Sequence, residues 1–164
     1  HSIALGSLKP DTYYFSGLSR IKTSAYVEAI PFLQKAVSMR PHSPHYHFDL
    51  GEAYRQLRSF DEALQEFRQV LEIKPRHPQA QNNIGVIFWN LKAYEKAEEA
   101  FKKALAIQHD LPDIHHNLAA LYLKDKRYQK ALLHLTQVLK LQPENATAQK
   151  LLDHVLSQVK RGPQ

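Results

Sequence analysis

The residues best equipped for chemistry in this 164-residue chain are its 10 histidines. His42, His45 and His47 crowd one stretch, and His115 and His116 adjoin each other. Imidazoles three or four residues apart on a helix can share a zinc ion, but structural zinc sites complete four ligands, commonly with cysteine. The chain has no cysteine, and its first cluster straddles Pro44. Surface histidines are therefore expected, with no metal and no cofactor. The lack of cysteine also removes disulfides and thiolate nucleophiles and leaves the redox compartment open, the cytoplasm being slightly favoured. There is no phosphate-binding glycine loop, serine nucleophile elbow or metalloprotease signature, so the chain reads as a non-enzyme.

The elements that must position any functional group announce themselves as a repeat. Pro10, Pro44, Pro78 and Pro112 lie 34 residues apart, as do Gly17, Gly51 and Gly85, with Ala119 in the fourth place. Tyr26, Phe60, Tyr94 and Tyr128 keep the interval, and so do Ala29, Ala63, Ala97 and Ala131. Leu33, Phe67, Phe101 and Leu135 form a further column, and Ala36, Val70, Ala104 and Val138 another. Within one unit, Phe48, Leu50, Ala53, Tyr54 and Leu57 recur at helical spacing. After a turn at Arg58–Ser59, Ala63, Leu64, Phe67, Val70 and Leu71 do the same before Pro75. Proline suits the first turn of a helix and disfavours helix in the residue before it, so the prolines punctuate helix pairs. The small columns let the paired backbones approach closely.

These columns resemble the tetratricopeptide-repeat family over about residues 10 to 143. The resemblance implies an all-α fold, a right-handed superhelical solenoid of helix-turn-helix repeats. The expected organisation is an irregular segment 1–9, repeats at 10–43, 44–77, 78–111 and 112–145, a capping helix at 146–160 and a tail at 161–164. The first repeat has the weakest pattern, with Ser16 and Arg20 where later ones carry Leu50 and Tyr54, and Pro31 should kink its second helix.

In that family the first helices line a concave groove that binds proteins or peptides. By resemblance the groove would be lined by Tyr14, Leu18 and Ile21; Phe48, Asp49, Glu52 and Arg55; Asn82, Asn83, Val86 and Trp89; and His116, Asn117, Ala120, Leu123 and Lys124. Asp49, Asn83 and Asn117 are again 34 apart and form a polar ladder. A carboxamide both donates to a peptide C=O and accepts from a peptide N–H. A similar asparagine ladder holds peptide substrates in the repeat superhelix of O-GlcNAc transferase. Trp89, the only tryptophan, is a candidate anchor. Chaperone-binding members grip a chain end with Lys, Asn, Lys and Arg; here Asn83 fits that clamp, but Phe48 and Glu52 stand where Lys and Asn belong, and Asp113 and Asn117 where Lys and Arg belong. Capture of a terminal carboxylate is not expected.

The expected partner is therefore a protein or extended peptide. The net charge of +6 is dispersed among 22 basic and 16 acidic residues without a basic stripe, so nucleic acid is not expected. No apolar run is long enough for membrane insertion by this segment. The chain opens on His-Ser rather than Met, which suggests either a piece of something longer or a processed product; as a piece it has a second reading. It would then be the substrate-recruiting arm of a larger enzyme or of a membrane-associated assembly factor. Self-association through stacked solenoid ends is a third reading.

Overall fold

A computed structural model describes residues 9–161. Nine helices occupy the described residues: α1 (Pro10–Lys22), α2 (Tyr26–Met39), α3 (Pro44–Gln56), α4 (Phe60–Ile73), α5 (Pro78–Asn90), α6 (Tyr94–Ile107), α7 (Pro112–Lys124), α8 (Tyr128–Leu141) and α9 (Ala146–Arg161). The segments 1–8 and 162–164, expected to be irregular, lie outside the described residues. The chain forms two compact units, His1–Ile87 and Phe88–Gln164, whose boundary falls inside α5.

Each helix-pair turn is built the same way, by a device that residue types alone did not announce. Ser24, Arg58, Lys92 and Lys126, again 34 apart, have φ of 58°, 60°, 60° and 56°. After α3, Ser59 N–H reaches Tyr54 C=O (3.0 Å) and Arg58 N–H reaches Arg55 C=O (3.0 Å). Lys126 and Arg127 close α7 identically onto Leu123 and Tyr122 (3.0 and 2.8 Å). These paired bonds satisfy carbonyls that a helix end leaves open, and the left-handed residue turns the chain back. Glycine is the usual occupant, and none of the four is glycine.

In the first unit Ala29, Leu33, Leu50 and Ala53 form a buried cluster, with Tyr14, Ile21, Tyr26, Ile30, Val37 and Tyr54 packed against it. A Cβ at Gly17 would come within 2.7 Å of Leu33 Cδ2, and one at Gly51 within 3.1 Å of Phe67 Cε1. The glycine column is thus a close-approach column. Helix α1, with the weakest sequence pattern, forms nonetheless: Arg20 lies over the Phe32 ring at 4.0 Å where later repeats use apolar residues. Helix α2 runs unbroken through Pro31. Pro31 and Val27, whose carbonyl loses its i+4 donor, are both exposed, so the lost bond is on the wet side. In the second unit Ala97, Phe101, Ala104, Leu118, Leu121, Tyr122, Leu135 and Val138 are buried, and α9 contributes Ala148 and Val155.

Candidate functional site

On the first unit's first helices, the expected partner-facing residues are held in a bonded set. Tyr14 donates its hydroxyl to Asp49 Oδ2 (2.5 Å) and stacks on Tyr46 at 4.5 Å. Burial, followed by the Asp49 carboxylate, pushes the Tyr14 pKa up; burial likewise raises that of Asp49. Glu52 is gripped by Arg55, whose Nε lies 3.0 Å from Oε2 and whose Nη2 meets Oε1. Gln56 donates to Glu52 Oε1 (3.0 Å), and Asn83 Nδ2 donates to Glu52 Oε2 (3.0 Å). Phe48 stacks on His77 at 5.2 Å and meets Phe67 edge-on at 5.6 Å. Asn82 and Val86 are half-buried on α5. Tyr14 and Ile21 are half-buried, packing in part against the core cluster.

In the second unit Trp89 meets Tyr94 edge-on at 5.4 Å, and Lys124 Nζ stands 4.8 Å over the same Tyr94 ring. His116 and Asn117 are half-buried on α7. Nearby in the chain, Glu98 receives Lys102 Nζ (2.6 Å), Arg127 Nη2 (2.8 Å) and the Tyr122 hydroxyl (2.9 Å). Burial disfavours its charge, but these bonds outweigh burial and hold its pKa at about 2.

The histidines correct the expectation of a uniformly surface set. His47 and His115 are buried, at 5% and 9% exposure. His47 Nδ1 contacts Glu66 Oε2 (2.6 Å) and its Nε2 the Pro41 carbonyl (2.8 Å), so both ring nitrogens face acceptors. The bond to Glu66 raises its pKa against the opposing effect of burial. His115 Nε2 meets the His109 carbonyl (2.9 Å) and Nδ1 meets His134 Nδ1 (2.9 Å). Burial, with His115 and Lys102 nearby, pushes His134 down to about 4. Sequence spacing held the missed signal: 47 and 115 are two periods apart, as are 66 and 134. Among the described residues no group of three or more His, Cys, Asp or Glu is arranged to hold a metal ion. None of the helices is long and apolar enough to cross a membrane, among those same residues.

Nine helices closed by repeated turns define an all-α repeat protein of the kind that serves as an interaction scaffold. The chain belongs to the tetratricopeptide-repeat family: one family profile described as tetratricopeptide repeat matches residues 16–78 and 48–112, and a second profile of the same description matches 112–145. Among curated proteins, none matches this chain. Solved structures share the fold. MamA of Desulfovibrio magneticus RS-1 superimposes with a TM-score of 0.82 at 19% identity, covering 94% of this chain and 87% of its own. PilF of Pseudomonas aeruginosa gives 0.81 at 21%, covering 93% and 69%. A thermophilic TPR protein of Thermus thermophilus gives 0.76 at 24%, covering 91% and 82%. The chain is, in general terms, a protein-interaction module.

Proposed function

We propose that the chain binds an extended segment of a partner protein on the exposed sides of its first helices. Asp49 and Asn83 in the first unit, and Asn117 in the second, pair with the partner's main chain. Phe48, Arg55, Asn82, Val86, Trp89, His116 and Lys124 contact its side chains. The observation that carries this reading is the anchoring of Asn83. Its amide nitrogen is held by Glu52, which Arg55 clamps in turn, so the carboxamide is oriented before any partner arrives. Preorganisation of this kind spares the ordering cost of binding.

Replacing Asn83 and Asn117 together by Ala tests it. Two lost hydrogen bonds of about 1 kcal/mol each should cut partner recovery on the immobilised chain at least about tenfold. The Asn83–Glu52 bond is half-exposed, so stability should fall by no more than about 1 kcal/mol. Lost stability with undiminished capture would make both residues structural.

A further inference from the structure

The ladder position of the first repeat, 34 residues before Asp49, is Phe15, and it is 64% exposed. Most large aromatic side chains are mainly buried, so an open ring in a polar column calls for a reason. The Phe15 ring lies 5.5 Å from that of Tyr14, and Tyr14 donates to Asp49 Oδ2. Tyr14 therefore links an open aromatic ring to a half-buried carboxylate. That bond goes to Oδ2 and leaves Oδ1 over for a second donor.

The cations and imidazole of this part of the first unit are already engaged. Arg55 is bound to Glu52, Arg40 to Asp11 (3.2 Å), and His45 to the Ser43 hydroxyl (3.1 Å) while its ring edge touches Tyr14. Burial raises the Asp49 pKa against the Tyr14 bond and the nearby His45, which both favour its charge. An apolar group placed here would cover Phe15 but strip water from Asp49 without compensation. An acidic group would face Asp49 and Glu52. A cation satisfies both features, since a ring face attracts ammonium or guanidinium and a carboxylate oxygen accepts a charge-assisted bond.

We propose that Phe15, Tyr14 and Asp49 seat one Lys or Arg side chain of the partner, its stem against Phe15 and its charge on Asp49 Oδ1. The seat rests on the reading of the first-helix sides as a peptide-binding surface, and it makes the preferred partner segment one with a basic residue at this end.

Two measurements on the full chain separate the two ideas. The first uses a pair of labelled decapeptides of Ala, Ser and Thr, identical except for Arg or Gln at the centre. The Arg peptide should bind about tenfold tighter, the scale of a partly desolvated cation–π contact with a charged bond. Phe15→Ala, at an exposed position, and Asp49→Asn should each remove that preference, whereas Asn83→Ala weakens both peptides alike. Equal binding of the two peptides, or a preference that survives both substitutions, overturns the seat and leaves the surface reading intact. The second measurement is an NMR titration with Nα-acetyl-arginine amide, which needs no peptide groove. Shifts concentrated at Phe15, Tyr14 and Asp49, absent with Nα-acetyl-norleucine amide, support the seat even if neither decapeptide binds and the surface reading fails. Shifts no larger there than at exposed Glu28 and Glu72 overturn it.

Discussion

The second and fourth repeats place a histidine at the same position, hold it to the same backbone carbonyl, and then give it opposite partners. His47 and His115 each direct Nε2 to the carbonyl six residues earlier, that of Pro41 or His109. Across the helix pair, His47 meets Glu66 and His115 meets His134. The first arrangement favours an imidazolium, because both nitrogens face acceptors. In the second, His115 donates from Nε2, so the hydrogen of the Nδ1–Nδ1 contact sits on His134, whose charged form burial disfavours. The same helix-pair contact thus favours an imidazolium at His47 in one unit and disfavours one at His134 in the other.

The pH dependence follows with opposite signs. The His134 pKa falls from 6.5 to about 4 on folding, so the unfolded chain binds more protons between those values. That contribution is present above pH 6.5 and is lost as pH falls toward 4, by up to about 3 kcal/mol. The His47 pKa is raised, so its contribution is full below 6.5 and is lost as pH rises through the folded value. Hydrogen exchange of α7 and α8 amides should accelerate on acidification from pH 7 to 4.5, once intrinsic rates are corrected, and that of α3 and α4 should not. Equal acceleration in both would end the contrast.

Making the fourth repeat resemble the second should have the largest effect. His134→Glu gives His115 an acceptor and should stabilise α7 and α8 at pH 5 by on the order of 2 kcal/mol, flattening their acid response. An unchanged acid response would show that the imidazole pair is no liability. The reverse loss should be smaller. Glu66→Gln keeps an acceptor for His47 but removes the charge, costing about 1 kcal/mol near pH 6 by thermal or urea unfolding, with the deficit shrinking as pH rises. Smallest should be the turns, where the two units agree. Arg58→Gly and Lys126→Gly relieve left-handed strain but add chain entropy, for a gain of about 0.5 kcal/mol each at any pH. Unequal gains would show that the turns differ as the histidines do.

The helix pairs were legible because proline, glycine, alanine and aromatic columns report directly on helix starts and close packing. The turn device at Ser24, Arg58, Lys92 and Lys126 was not, because serine, arginine and lysine carry no left-handed preference; the closing bonds impose it. The burial of His47 and His115 is not legible in residue type, since a polar residue on a helix discloses its burial only through its partner, and Glu66 and His134 lie 19 residues on. Of the candidate site, residue identity placed Asp49 and Asn83 in one column but could not tell that Tyr14 and Glu52 already hold them. Phe15 escaped notice at the head of that column because it breaks the polar pattern.

The braces of each unit are short in sequence. Tyr14 reaches Asp49 and Tyr46 reaches Asp11 across 35 residues, Tyr122 reaches Glu98 across 24, and each histidine reaches its partner across 19. At about 5–20 residues per second of synthesis, each such brace has both ends made within several seconds of its first. Within each unit a nascent chain can therefore consolidate from its earlier helices onward, while the ribosome is still at work.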